Sequence, residues 1–339
     1  MRNGILVGGN WIIDLVKIID VFPGEEKLAN ILAEYSSNGG SAYNVIKDLA
    51  KLNVDFPLSA IGLVGEDERG RKIIEECTTL GVNTDQLRVT CKAATSYTDV
   101  MSVQSVGKRT FFHYRGANAL LDTTDFSFLN SNEKIFHLGY LLLLDKLDTI
   151  GPNGLTGAAT ILAEARSKGF ITTIDLVSEN DCRFSTIVPL ALPFVDIIFV
   201  NEFEAEMLSG LSGLLQDGKV NLDRCYEAAA TILEMGVNEW VLLHFPMGAI
   251  GLSKRGEKIF QPSLEVPTNK IKGAVGAGDA FAAGVLIGIH NNCDMQKSLL
   301  NGVCVAASCL FQATSSDGIL PLNETLSLAK DYGFKEFFG

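Results

Sequence analysis

No cluster of lysine and arginine occurs in the 339-residue sequence, and the formal net charge is −12. Nucleic-acid binding relies on clustered basic side chains along the phosphate backbone, so this class of partner is excluded. The most apolar run, YLLLLDKL, is also far shorter than the roughly 20 residues that a membrane-spanning helix needs. We therefore expect neither a nucleic-acid partner nor a membrane partner.

The seven cysteines contain no CxxC pair, and no histidine stands near them at metal-ligand spacing. Their odd number and wide spread, from Cys77 to Cys309, predict reduced thiols. The first stretch, MRNGILVGGNWIIDLV, is interrupted by glycines and by Asn10, so no secretion signal is expected. These features favour a cytoplasmic location.

Short apolar runs alternate with longer stretches of helical period along most of the chain. The runs NGILVGG, FPLSAIGLVG, EKIFHLG, FITTIDL, VDIIFVN and EWVLLHF are strand-like. Such alternation predicts a single α/β domain over residues 1–339, with a mostly parallel sheet covered by helices on both faces. In these sheets, ligands bind outside the carboxyl ends of the strands.

Two regions interrupt this alternation, at about residues 11–36 and 95–115. The second contains two strand-like runs joined at SVGKR, a hairpin signal with Gly107 in the turn. Both regions look like antiparallel strands inserted between βα units. They predict a small β-sheet that stands over one edge of the main sheet as a lid.

The segment GAVGAGDAFAAGVL places the carboxylate of Asp279 where a glycine-rich turn becomes an apolar helix. A helix N-terminus presents free N–H groups and a positive dipole end, which favours a bound anion such as phosphate. A carboxylate beside that anion can accept a proton from an attacking hydroxyl. Local physics equally allows a second reading, in which Asp279 only caps the helix.

The string GAGDAFAAG closely resembles the second signature of the PfkB (ribokinase-like) carbohydrate kinases. NGGSAYNVIKDLAKL resembles the first signature, and FVNEFEAEML resembles the N-x-x-E segment that helps to position magnesium. The resemblance runs from about residue 5 to about residue 320. It implies a ribokinase-like three-layer sandwich with a small β-sheet lid, in which ATP and Mg²⁺ are used to phosphorylate a sugar.

The resemblance also implies roles for particular residues. Asp279 corresponds to the catalytic base, and Gly276, Ala277 and Gly278 correspond to the backbone anion hole. Asn301 is expected near the adenine. The residues expected to contact the sugar are Asp14, Gly39, Gly40, Asn44 and Arg115.

Some of these residues have an ordinary structural reading as well. Asn201 and Glu204 match the magnesium-associated pair, but Asn and an early Glu are also expected at any helix N-terminus. Asp14 could be an exposed residue of a lid strand, and Arg115 could be an ordinary surface arginine.

The sequence thus predicts an ATP-dependent phosphotransferase that acts on a hydroxyl of a small sugar or sugar derivative. Two alternatives stay open: a nucleoside kinase, kept by the aromatic residues Trp11, Phe112 and Tyr114 near the lid, and a non-catalytic sugar- or nucleotide-binding protein on the same scaffold. Exposed lid edges favour a homodimer in which the lids pair.

The chain departs from the family pattern at two places. Relatives have D-T-x-G-A-G-D where this chain has Gly273, Ala274 and Val275 before Gly276, and a T-x-G-x-x-G turn where this chain has residues 244–248, HFPMG. Pro246 removes an amide donor from the second segment, which lies along the nucleotide phosphates in relatives.

The missing aspartate predicts little or no activation by potassium, because that carboxylate helps to hold a monovalent cation in many relatives. Phosphoryl-transfer rates should be similar in potassium chloride and in the chloride of a cation that such sites do not bind. A strong requirement for potassium would contradict this expectation.

Overall fold

The computed structural model describes residues 2–106, 108–129, 131–179, 183–215 and 219–336. Within these ranges the main sheet has nine strands, in the order β13-β12-β11-β10-β9-β8-β1-β4-β5. Their bounds are β1 (Ile5–Gly9), β4 (Leu58–Gly65), β5 (Asn83–Thr90), β8 (Ile135–Leu141), β9 (Ile171–Leu176), β10 (Ile197–Asn201), β11 (Trp240–Phe245), β12 (Gly248–Ser253) and β13 (Lys258–Pro262).

Seven neighbouring strands of this sheet, from β11 to β5, pair in parallel, and β12 is antiparallel to both of its neighbours. Strands β1, β8 and β10 are almost completely buried, since helices cover both faces. This arrangement confirms the mostly parallel α/β sheet that the alternating pattern predicts.

The helices fall into two layers. One layer packs the core around Val45, Ile46 and Leu286 against one face of the sheet, and the other packs the core around Leu162, Ala229 and Ile232 against the opposite face. The bounds are α1 (Ser41–Lys51), α2 (Glu68–Thr79), α3 (Gly157–Ser167), α4 (Phe184–Ala191), α5 (Glu202–Ser209), α6 (Leu222–Glu234), α7 (Ala277–His290), α8 (Met295–Cys309) and α9 (Leu322–Tyr332). No helix within the described ranges has the length and apolarity needed to cross a membrane.

A second sheet has four described strands in the order β3-β2-β6-β7, with bounds β2 (Ile12–Ile19), β3 (Ile31–Gly39), β6 (Tyr97–Val103) and β7 (Arg109–Tyr114). We call this sheet the lid. Strands β6 and β7 form the predicted hairpin, although Gly107 lies outside the described residues. One expectation was wrong in part: β2 and β6 pair in parallel, because they come from separate insertions that enter the lid from the same side.

The strand order reverses at β1, which lies between β4 and β8. The chain leaves β1 to form the first lid strands, returns through α1 to β4, and later reaches β8 on the other side of β1. A crevice forms at such a reversal outside the carboxyl ends of the strands. The lid stands over this crevice.

Candidate active site

A cavity of about 600 Å³ lies between the lid and the carboxyl ends of the parallel strands. Four neighbouring strands, β8 to β11, each contribute one polar side chain to its wall, and α7 begins at its floor. These four residues are Tyr140, Asp175, Asn201 and His244. The cavity therefore lies where the sheet topology predicts a ligand site.

The carboxyl group of Asp279 lies in the first turn of α7 and is 4 % exposed. The side-chain amide of Asn44 donates to its Oδ2 at 2.7 Å, and the Tyr140 hydroxyl lies 3.1 Å from both of its oxygens. Burial, followed by the nearby charge of Asp175, raises the pKa of Asp279 to about 7. The group can therefore exchange its proton near neutral pH.

The turn before α7 is shaped by Gly276, whose φ of 76° is left-handed. A Cβ atom there would lie 2.8 Å from the Ser315 side chain, so a larger residue fits neither the conformation nor the space. The first N–H groups of a helix have no intrahelical acceptor. Gly276, Ala277 and Gly278 all line the cavity, as expected for a backbone anion site.

His244 lies beside this anion site. Its ring packs on Phe281 with centroids 5.2 Å apart, and a Cβ atom on Gly278 would lie 3.1 Å from its Cε1. Burial lowers the pKa of His244 to about 4, so the ring is neutral at neutral pH. The altered segment 244–248 is thus the tight turn between β11 and β12, with an imidazole facing the cavity.

Of the predicted sugar-contact residues, Asp14, Gly40 and Asn44 line the cavity, whereas Gly39 does not line it and lies against the Asp14 carboxyl group. Gly40 precedes α1, and a Cβ atom on Gly39 would lie 2.3 Å from Oδ1 of Asp14. Burial raises the pKa of Asp14 to about 7, although a hydrogen bond with Thr98 opposes the shift. Asp14 is partly buried and lines the cavity, so its alternative reading as an exposed residue of a lid strand is wrong.

Asn201 and Glu204 form a capping box at the start of α5. The Asn201 side chain accepts from the Glu204 N–H at 2.9 Å, and Glu204 accepts from the Asn201 N–H at 3.0 Å and from Ser178 at 2.7 Å. Both residues also line the cavity, and burial raises the pKa of Glu204 to about 8. The pair therefore caps α5 and lines the cavity at the same time.

Two predicted residues lie elsewhere. Arg115 does not line the cavity; its guanidinium donates to Asp145 at 2.8 Å and to the Leu142 carbonyl at 3.1 Å. Asn301 is buried in α8, where its backbone packs against Gly284 of α7. The structure thus separates both side chains from the residues around Asp279.

A magnesium ion carried by nucleotide phosphates fits the residues present. No cluster of three potential ligands among the described residues forms a ready-made metal site. Magnesium, however, commonly keeps several waters and binds through one or two carboxylates plus substrate phosphates. The buried Oδ1 of Asp175 has no hydrogen-bond partner among the described residues, and Glu204 lines the same cavity.

Several cavity residues had no role in the sequence prediction. They are Tyr140 and Asp175 of the main sheet, and Thr98, Arg109 and His113 of the lid. The sequence does contain one signal that could have indicated some of them. A polar residue near the end of each parallel strand reaches the same edge of the sheet, where ligands bind.

The fold is shared with known structures. Ribokinase of Arabidopsis thaliana, solved with ribose and ATP, superposes with a TM-score of 0.77 at 21% identity, over 97% of this chain and 99% of that chain. This similarity shows the ribokinase fold that the sequence resemblance implies.

Similar sequences are known as kinases. A 5-dehydro-2-deoxygluconokinase of Geobacillus kaustophilus is 22% identical over 83% of this chain and 81% of its own length. An ATP-dependent ribose-1-phosphate kinase of Halopiger xanaduensis is 25% identical over 86% and 85%. Residues 5–321 match the model of the pfkB family carbohydrate kinase. The chain belongs to this family of carbohydrate kinases.

The environment of Asp279 predicts how its proton affinity responds to two substitutions. Catalysis that needs the carboxylate should rise with pH through a midpoint near 7, the pKa to which Asp279 is raised. Tyr140→Phe removes a donor that stabilises the charged form, so the midpoint should move to higher pH. Asp175→Asn removes a neighbouring negative charge, so the midpoint should move to lower pH.

The measurement is the pH dependence of kcat/KM for each variant. Asp148→Asn is the comparison, because Asp148 also has a raised pKa but lies outside the cavity lining and does not contribute to the pKa shift of Asp279. A midpoint that moves only in Asp148→Asn would contradict the assignment of this titration to Asp279.

Proposed function

We propose that the protein transfers the γ-phosphoryl group of ATP to a hydroxyl of a small sugar or sugar derivative, with Asp279 as the catalytic base. The observation that carries this proposal is the buried Asp279 carboxyl group, with a pKa of about 7, at a glycine-rich helix start that lines the cavity. Membership of the carbohydrate kinase family supports the reaction class.

In the proposed mechanism, Asn44 and Tyr140 hold the carboxylate by hydrogen bonds while it takes the proton of the acceptor hydroxyl. The N–H groups at Gly276, Ala277 and Gly278, with the positive end of the α7 dipole, stabilise the negative charge of the transferring phosphoryl group. Positioning and electrostatics supply most of the catalysis in this chemistry.

The acceptor and ATP bind at different ends of the cavity. Asp14, Gly40 and Asn44 bind the hydroxyl groups of the acceptor beneath the lid, Gly39 supports Asp14 from behind, and closure of the lid excludes water. The neutral ring of His244 lies along the phosphates of ATP, where relatives have a hydroxyl side chain.

Magnesium neutralises the charge of the nucleotide phosphates when it is bound. Asn201 and Glu204 would hold it, and Asp175, whose Oδ1 has no hydrogen-bond partner among the described residues, lines the same cavity. Asn301 remains a candidate for the adenine end only through its position on α8. Arg115 is not part of the proposed sugar site, because its guanidinium already donates to Asp145 and to the Leu142 carbonyl.

A cytoplasmic location and a homodimer are part of the proposal. The six described cysteines are free thiols, which is typical of a reducing compartment. Large apolar side chains are exposed on the edge strands of the lid: Leu32 is 49% exposed on β3, and Phe112 is 52% exposed on β7. Pairing of two lids would cover these side chains.

The assembly is tested by sedimentation. The protein should sediment with twice the mass of its 36.5 kDa chain. Replacing both Leu32 and Phe112 with Glu should give the monomer, because like charges would then face each other. A wild-type protein that is monomeric at micromolar concentration would contradict the lid-paired dimer.

Membership of the carbohydrate kinase family favours neither alternative function, a nucleoside kinase or a non-catalytic binding protein.

Asp279→Asn keeps the size of the side chain and removes its basicity, so kcat should fall by about 10²- to 10⁴-fold while the protein stays folded. The measurement is ADP release with Mg·ATP and an accepted sugar, together with circular dichroism.

Asp148→Asn is the matched control. Asp148 is another buried carboxyl group that accepts two backbone N–H bonds, and it lies outside the cavity lining. This variant should keep wild-type turnover. Near-normal activity of Asp279→Asn would refute the base assignment.

A further inference from the structure

Arg109 is a cation without a partner in the candidate active site. It is half-buried on lid strand β7 and is the only arginine or lysine among the described residues that line the cavity. Its guanidinium makes no hydrogen bond or ion pair with any described residue. Arginines elsewhere in the fold differ: Arg115 pairs with Asp145, and Arg166 pairs with Asp196.

The acidic side chains of the cavity do not neutralise this cation, because each has other partners. Asp279 is bound by Asn44 and Tyr140, Asp175 accepts from Ser41, and Glu204 belongs to the capping box. Glu179 lies 3.5 Å from Arg115, and Asp14, whose pKa burial raises to about 7, is hydrogen-bonded with Thr98. Burial, the main cause, lowers the pKa of Arg109, which is the mark of a cation whose solvation has not been replaced.

The guanidinium of Arg109 lies beside Gly273. A Cβ atom on Gly273 would lie 3.2 Å from Nη2 of Arg109, so the guanidinium rests against a residue without a side chain. A carboxylate at this position could have paired with Arg109 inside the chain. Gly273 offers no side chain to pair with the guanidinium, which lines the cavity without a hydrogen-bond partner among the described residues.

Alternation along β7 places Arg109 on the face of the lid that lines the cavity. Arg109, Phe111 and His113 share the face of the lid that lines the cavity, and His113 pairs across β6 with Thr98, next to Asp14. These are residues of the acceptor side. His244 and Glu204, which the proposed function places along the nucleotide phosphates, belong to the main sheet instead.

We propose that the acceptor is a small sugar derivative that carries an anionic group, a carboxylate or a phosphate monoester, and that Arg109 binds this group. A guanidinium matches both anions through two parallel N–H donors. The proposal rests on the kinase function above and narrows its substrate class from sugars in general to anionic ones.

The test compares matched pairs of neutral and anionic sugars with Mg·ATP: glucose with gluconate, and ribose with its 1- and 5-phosphates. We expect kcat/KM to be higher for an anionic member than for its neutral counterpart. Arg109→Met should lower kcat/KM for that anionic sugar by about 10- to 100-fold, as for loss of a hydrogen-bonded charge, and Arg109→Lys should lower it less. The gluconate and phosphate arms identify which anion is bound.

Lys108→Met is the matched control, since Lys108 is the neighbouring basic residue, is exposed and lies outside the cavity lining. It should leave every rate unchanged. If neutral sugars are phosphorylated as well as anionic ones, and Arg109→Met does not change this, the inference is wrong and the kinase function stands. An increase in KM for ATP with neutral acceptors would assign Arg109 to the nucleotide and also overturn it.

Calorimetric titration separates the inference from the proposed function. If no sugar in the set is phosphorylated, the kinase function fails for these acceptors, but binding still tests Arg109. Tighter binding of gluconate or a ribose phosphate to the wild type than to Arg109→Met supports the inference. Equal binding of neutral and anionic sugars by both proteins contradicts it.

Discussion

The hydrogen bond from Asn44 to Asp279 joins the two helices on which the site depends. It ties the N-terminal part of α1 to the first turn of α7, and its 2.7 Å length places a buried amide against a buried carboxyl group. Asn38, at the end of lid strand β3, donates in turn to Asn44 and to Ser316. One chain of polar contacts thus runs from the lid through α1 to the proposed base, so the position of the lid and the proton affinity of Asp279 are linked.

Burial of several carboxyl groups in one cavity explains the electrostatics of the site. Desolvation is the largest cause of the raised pKa of Asp14, of Glu204 and of Asp279. Each charge also disfavours its neighbours, because little water screens them. Arg109 is the exception in this acidic space. A cavity of this kind favours ligands whose charges offset those of its side chains. These are a phosphate with its metal ion beside the acidic main sheet and, on our proposal, an anionic group beside Arg109 at the lid.

Much of the fold was readable from the sequence because the strand and helix signals are local. The glycine turn and Asp279 were readable for the same reason. Tyr140 and Asp175 were not, since their importance arises only when parallel pairing brings the ends of β8 and β9 together, and sequence does not give the order of strands. Arg115 was expected at the sugar site, but β7 ends at Tyr114 and the chain turns at Arg115, whose guanidinium donates to Asp145 and to the Leu142 carbonyl. The arginine that lines the cavity is Arg109, at the other end of β7.

The capping box at α5 places two demands on the same pair of residues. Asn201 and Glu204 satisfy each other's backbone N–H groups, and this stabilises the start of a helix of only eight residues. The same side chains line the cavity. On the proposed function, a mutation at either position therefore affects both the stability of this helix and the activity. In evolution the two positions should change as a pair or remain fixed, even in descendants that have lost the reaction but keep the fold.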